Sequence, residues 1–331
     1  MVEPVKSLNT NVGKVWLMSG LLSLTLWQLP LLLGKYVDVT FPYIAQEDIV
    51  RELVGVTAVD KGNKKDLCPA LSPHLQDSPH LMSNDIVALA EEVVARDNQV
   101  QPGGIWEPKD CKARYRLVLI VPYRNRSDHL QQFLTYMHPF LQRQQLSYRI
   151  VVVEQSKEKS FNRAKLFNIG FVESQKVAKE VECFIFHDVD LLPRHDYNIY
   201  SCTHNPRHMY SAVDVFRYHL PYREIMGGVM ALQRSHIVAM NGFSNRFYGW
   251  GAEDDDLAQR IHQLRFTLTR FDPAVASYVT LSHQSETPAP DRFTTLSQAK
   301  ENMKKDGLNS LNYEVKKQEE RSLYTWLLVS C

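Results

Sequence analysis

The sequence predicts an α/β fold with a mostly parallel central sheet covered on both faces, and two observations predict it. Short apolar runs recur at 116–123 (RLVLIVPY), 148–155 (YRIVVVEQ) and 182–190 (ECFIFHDVD). Helical patterns separate them, at 127–144 (SDHLQQFLTYMHPFLQRQ) and 161–179 (FNRAKLFNIGFVESQKVAK). Strand, helix, strand, helix, strand is the signature of such a sheet.

The 331 residues suffice for one large domain or two modest ones. Lys and Arg number 38 against 37 Asp and Glu, a balance with no field to favour nucleic acid, which is therefore not an expected partner.

In chain order, residues 15–33 (VWLMSGLLSLTLWQLPLLL) form an uncharged apolar run between Lys14 and Lys35, about as long as a bilayer core requires. A cleaved signal peptide is the alternative, but the run is long for one and no small-x-small cleavage site follows it. Lys6 and Lys14 precede the run, so the positive-inside tendency favours a short cytoplasmic tail and a luminal body. The expected organisation is a tail at 1–14, an anchor at 15–34, a stem with the start of the luminal domain at 35–110, and a catalytic domain at 111–331. Loop-rich segments at 68–80 and 101–111 enclose one expected helix, at 83–97 (SNDIVALAEEVVARD). In an oxidising lumen Cys68, Cys111, Cys183 and Cys202 read as two disulfides and Cys331 is left over. No Cys-x-x-Cys spacing occurs. One glycosylation sequon begins at Asn125.

Ligands of such sheets collect beyond the C-terminal strand ends. Three polar groups fall there: PYRNR at 122–126, Glu154 with Gln155, and DVD at 188–190. With no GxGxxG and no Walker loop, a phosphate must be held differently. Paired aspartates supply hard oxygen ligands for Mn2+ or Mg2+; a polar strand terminus is the other reading of DVD.

A second stretch, RFYGWGAEDDDLAQRI from Arg246, places four carboxylates, Glu253 to Asp256, behind an aromatic and glycine run. Leu257, Ile261 and Leu264 recur at helical spacing, and acids in a first turn suit the helix dipole. That leaves Trp250 unexplained between two glycines. An exposed indole beside carboxylates suits a sugar ring and its hydroxyls.

Taken with FNRAKLFNIGF, FHDVDLLP, GGVMAL, NGFSNRFYGWGAEDDD and DGLNSLNYEV, these motifs make the chain resemble the β1,4-galactosyltransferase family, over residues 68–328. The resemblance implies a luminal, Golgi-type, type II membrane enzyme with the nucleotide-sugar-binding GT-A fold. It implies nucleotide contacts from Pro122, Tyr123, Arg124, Arg126, Phe161, Arg163, Asp188 and Val189. It implies Mn2+ as cofactor on Asp190 and His283. Thr280 stands where the family often has a third ligand, a methionine. Ile225, Gly228 and Trp250 match donor-sugar positions. Tyr222, Tyr248, Gly251, Glu253, Asp254, Asp255, Arg292 and Phe293 match acceptor-binding positions, with Asp254 at the catalytic base. The segment between His283 and Arg292 is shorter than in many relatives. The cysteines align with two family bridges, Cys68–Cys111 and Cys183–Cys202; Cys331 has no counterpart.

The implied reaction is inverting, Mn-dependent transfer from a UDP-sugar to O4 of a terminal β-GlcNAc on a glycoprotein or glycolipid. Asp254 takes the acceptor proton and a closing Trp250 loop excludes water. Galactose-specific members commonly carry tyrosine at the Ile225 position. Isoleucine is similar to the invertebrate β1,4-N-acetylgalactosaminyltransferase branch and leaves room for an N-acetyl group, so UDP-GalNAc is the expected donor and UDP-Gal the alternative. A sugar-binding protein without turnover and a metal-dependent hydrolase remain as other classes, the latter lacking a matched acid and base pair.

Overall fold

The computed structural model describes residues 41–55, 65–76, 85–283 and 287–331. The expected tail and anchor lie outside them. Among the described residues no helix is long and apolar enough to cross a membrane. Pro42–Leu220 and Glu224–Cys331 form one unit, and Phe41 and Pro221–Arg223 fall in another.

The strands are β1 (Ile105–Trp106), β2 (Arg116–Tyr123), β3 (Ser147–Gln155), β4 (Cys183–His187), β5 (Leu191–Pro193), β6 (Arg207–His208), β7 (Ala212–Val213), β8 (Val229–Gln233), β9 (Ser277–Thr280), β10 (Glu314–Glu320) and β11 (Thr325–Ser330). The helices are α1 (Ile49–Glu52), α2 (Glu91–Asp97), α3 (Ser127–Arg143), α4 (Arg163–Val177), α5 (Arg234–Ala239), α6 (Glu253–Gln263), α7 (Arg292–Ser297) and α8 (Ala299–Asn302). The larger sheet runs β10-β11-β3-β2-β4-β8-β6, with β1 also on β3; a smaller one runs β5-β9-β7.

The central strands are parallel: β11 with β3, β3 with β2, and β2 with β4. The ladders outside them, β10 on β11, β1 on β3, β4 on β8 and β6 on β8, are antiparallel. The parallel expectation thus holds for the centre and is corrected at the margins. A central strand buried on both faces must be apolar where it is buried, and β2 is, from Leu117 to Pro122. Its Leu117, Leu119 and Val121 face one core, beside Phe133, Met137 and Phe140 of α3. Its Val118 and Ile120 face the other, beside Phe167 and Phe171 of α4 and Leu257 and Ile261 of α6.

The helix expected at 83–97 is shorter. Among its described residues, the α-helix spans Glu91–Asp97. Before it, the Leu89 N–H donates to Thr135 Oγ1 at 3.1 Å and the Leu89 carbonyl accepts from Gln131 Nε2 at 3.1 Å, so α3 side chains hold this backbone extended. Both expected disulfides are present, Cys68–Cys111 and Cys183–Cys202, and Cys331 is a buried free thiol.

α4 lies so close on the sheet that a β-carbon on Gly170 would fall 2.3 Å from Ile120 Cγ2 and 3.0 Å from Val153 Cγ2. Gly170→Ala is therefore expected to destabilise the protein by about 1–3 kcal/mol through overpacking, although alanine is the better helix former. Chemical denaturation checks this; a gain in stability would contradict the packing.

Candidate active site

β2, β3 and β4 end side by side at Tyr123, Gln155 and His187. Pro122 is buried and Tyr123 half-buried at the end of β2. Arg124 donates to the Lys159 carbonyl at 2.8 Å, and its guanidinium lies 5.1 Å from the centre of the Phe161 ring. Gln155 is buried; its amide donates to the Ser160 carbonyl and accepts from the Asn162 N–H, which shapes the turn into α4. Asn162 then caps α4 by accepting from the Lys165 N–H at 2.9 Å.

Arg163, in the first turn of α4, meets three elements. Its Nε donates to Asp188 Oδ1 at 2.5 Å, and longer contacts of 3.4 Å reach Glu253 Oε1 and the Gly228 carbonyl. The guanidinium expected to touch the nucleotide is thus already engaged with acids of the site. Val189 is buried and Asp188 half-buried.

Asp190 and His283 are brought together, with His283 Nε2 3.0 Å from Asp190 Oδ2. Arg126 donates to the same oxygen at 2.7 Å. Burial pushes the Asp190 carboxyl up, but His283 and Arg126 outweigh it and the group lies below its ordinary range. A carboxylate with an imidazole is an O/N donor set that Mn2+ accepts. No cluster of three or more His, Cys, Asp or Glu able to hold a metal occurs among the described residues. Thr280 is tied elsewhere: its N–H and its hydroxyl, at 2.8 Å, both donate to Asp214.

The acidic stretch begins α6 at Glu253 as expected. The chain enters it through left-handed backbone at Gly249 (φ 84°), Gly251 (φ 109°) and Ala252 (φ 72°), the last a strained conformation for a residue with a side chain. Trp250 is 57 % exposed. Its loop is fastened at both sides: the Gly249 N–H donates to the Phe161 carbonyl at 2.8 Å, and the Trp250 carbonyl accepts from the Ala289 N–H at 3.0 Å. Arg292 packs under Gly251 and lies 4.2 Å from the centre of the Phe293 ring, itself 62 % exposed. Tyr248 and Asp255 are half-buried beside them.

Asp254 keeps some solvent contact yet is hemmed in by protein on most sides. Gly227 leaves it room, for a β-carbon there would come within 2.8 Å of Asp254 Oδ2. Burial, then the charges of Glu253 and Asp255, push the Asp254 carboxyl up to about 7 against the pull of Arg163. Glu253 Oε2 is shielded from solvent and accepts no hydrogen bond among the described residues. A raised carboxyl and an unpartnered acceptor side by side can take a proton and bind a hydroxyl.

Other expected residues fall differently. Tyr222 belongs to the smaller unit and is 39 % exposed. Ile225 is only 5 % exposed, in the core, and its carbonyl accepts from Arg270 Nη2 at 2.5 Å. Arg270 Nε donates to His208 Nδ1 at 2.8 Å, and His208 Nε2 donates to the Gly227 carbonyl at 2.9 Å. This buried Arg270–His208 couple holds the backbone around Gly228, and sequence reasoning missed it because neither residue is near 225–228 in the chain. Asp256 lies in the first turn of α6 and is buried, and Arg260 Nε donates to it at 2.6 Å. Arg260 Nη1 also donates to the carbonyls of Met240 and Asp306, fixing the segment that leads to Trp250.

Two family descriptions match the chain: the N-terminal region of glycosyl transferase group 7 over residues 68–203, and the N-terminal domain of galactosyltransferase over 207–284. The chain is 41 % identical to beta-1,4-galactosyltransferase 1 of Mus musculus over 265 residues, 79 % of this chain and 66 % of that one. It is 39 % identical to beta-1,4-galactosyltransferase 4 of Cricetulus griseus over 291 residues, 87 % of this chain and 82 % of that one. Among solved structures it is similar to the catalytic domain of Drosophila beta1,4-galactosyltransferase 7 in complex with xylobiose, with a TM-score of 0.56 and 28 % identity over 65 % of this chain and 94 % of that one. A mutant of that protein in complex with manganese, UDP-Gal and xylobiose matches equally, at a TM-score of 0.56.

The two neighbouring acids differ in what they hold. Asp256→Ala leaves the fully buried Arg260 without its closest partner and is expected to cost about 3–5 kcal/mol of stability. Asp254→Asn removes a charge that burial disfavours and is expected to leave the unfolding midpoint near wild type. Thermal unfolding of the two variants checks this, and equal stability would contradict it.

Proposed function

The chain belongs to the β1,4-galactosyltransferase family, and from that premise we propose that it transfers galactose from UDP-Gal to the 4-hydroxyl of a terminal β-GlcNAc, with inversion. The observation that carries the proposal is the pair of opposite carboxylate environments, Asp254 raised to about 7 and Asp190 held low. Groups pushed apart in this way take different roles. Asp254 accepts the proton of the acceptor hydroxyl as its oxygen bonds to the anomeric carbon. The bond to UDP breaks on the opposite face and its electron pair leaves on the diphosphate, so no covalent intermediate is required.

Asp190 and His283 are the residues that would hold Mn2+. When bound, Mn2+ supplies positive charge against the diphosphate. Arg124 and Arg126 stand at the end of β2 to bind the same negative charge. Glu253 Oε2 has an unused acceptor position beside Asp254, and Trp250, Tyr248 and Phe293 offer ring faces to the acceptor. The uncharged run at 15–33 and the two disulfides support a Golgi-type, luminal setting, with a GlcNAc-terminated glycoprotein or glycolipid as acceptor.

A second reading, UDP-GalNAc as the donor in the manner of the invertebrate branch, is favoured by Ile225 alone. The names of the relatives favour UDP-Gal. The deciding experiment is kcat/KM for both donors with a β-GlcNAc acceptor and Mn2+, in wild type and Ile225→Tyr. UDP-Gal preference little changed by tyrosine supports the main reading. A preference for UDP-GalNAc that tyrosine lowers by about 10- to 200-fold establishes the second.

Asp254→Asn is expected to lower transfer about 100- to 10,000-fold with folding retained, because a carboxamide cannot accept the proton. The pH profile follows from the same group. Below about 7 Asp254 is protonated and cannot act as base, so kcat/KM is expected to climb as pH rises through that value and to level off above it. A profile flat across the range, or near-wild-type turnover by Asp254→Asn, removes Asp254 from the role.

A further inference from the structure

The first turn of α3 touches both halves of the Asp190–His283 pair. Arg126, its N-cap, donates to Asp190 Oδ2 at 2.7 Å. Three residues on, His129 Nε2 lies 3.2 Å from the carbonyl oxygen of Ser282, the residue before His283. A carbonyl only accepts, so Nε2 carries the hydrogen and the ring is the donor. The His129 and His283 rings meet edge to face, with centroids 6.2 Å apart. His129 Nδ1 is shielded from solvent and makes no hydrogen bond among the described residues. The bond to Ser282 is therefore the polar contact that orients the ring.

Other ties also hold the segment carrying His283. Asp214 takes the N–H and hydroxyl of Thr280, where β9 ends, and the Asp190 carbonyl accepts the Leu281 N–H at 2.7 Å. Past Leu281 the ladder is over, and His129 takes up the hold on the backbone. One helical turn thus grips the carboxylate through Arg126 and, through His129, the backbone carbonyl just before the imidazole's residue.

We infer that His129 is a positioning residue for the Asp190–His283 pair, fixing His283 through Ser282 and through ring packing so that the two ligands face one ion. The inference rests on the reading of Asp190 and His283 as the residues that hold Mn2+. Its physical basis is conformational entropy: a histidine on an unheld segment must be ordered when the ion binds, and that cost is subtracted from affinity. Groups that orient ligands in this way are typically worth about 10- to 100-fold in metal affinity.

The test is binding of Mn2+ alone to the full chain, read from the loss of the free-ion EPR signal. His129→Phe keeps a ring against His283 and deletes the donor; Mn2+ binding about 10-fold or more weaker is expected, at an unchanged unfolding midpoint. His129→Gln, whose amide N–H can again reach a carbonyl, is expected to recover most of the loss. Wild-type affinity in His129→Phe, with His283→Ala weakened, would overturn the role of His129 and leave the metal reading standing. A wild-type chain that binds no Mn2+, or that binds it equally well after His283→Ala, would sink both. Should His129→Phe fail to fold, a His129→Gln chain that binds Mn2+ no better than His129→Ala decides against the donor.

Discussion

The acids where β4 and α6 meet depend on one half-buried cation, Arg163. Asp188 and Asp190 follow β4, and Glu253, Asp254 and Asp255 open α6, a gathering of acids that would repel one another in a low-dielectric cleft. Arg163 lies among them, 2.5 Å from Asp188 and 3.4 Å from Glu253. Its place is set by packing: it stands in the first turn of α4, 4.6 Å over the Phe167 ring, and Gly170 lets that helix press onto β2 and β3. The sheet's core and the site's electrostatics are therefore one construction.

Arg163 compensates unevenly, and that unevenness creates the chemistry. Asp188 takes the shortest contact and Glu253 a longer one, while Asp254 feels Arg163 only through space and keeps the repulsion of both its neighbours. Its carboxyl rises to about 7, where a base is useful near neutral pH. Asp190 has its own partners in Arg126 and His283, which hold its carboxyl below the ordinary range. Five acids on two short segments thus acquire different tasks from the cations that happen to reach them.

Backbone holds the same pattern in place. Arg270 and His208 grip the carbonyls of Ile225 and Gly227 on one side of Asp254, while Arg260 grips those of Met240 and Asp306 beneath the Trp250 loop. The two guanidinium groups and the imidazole are buried, and they serve carbonyls that no strand or helix satisfies. The exposed indole of Trp250 rests on this support, with glycines on either side and a strained Ala252 behind it.

The sequence by itself determined the central strands, the long helices and the start of α6. Short unbroken apolar runs between helical patterns suit strands buried on both faces, and the 3.6-residue period suits helices with one buried stripe. It also singled out candidate site residues, since clustered acids and an isolated tryptophan bordered by glycines are unusual in a core. Only tertiary structure decided which charge meets which. Asp256 and Asp254 are indistinguishable in EDDD, yet one points inward to Arg260 and the other into the cleft, because helical rotation turns successive residues about 100° apart. The antiparallel margins, the shortened α2 and the partners of Arg163, Arg270 and His129 rest on contacts between segments far apart in the chain, and no local pattern encodes those.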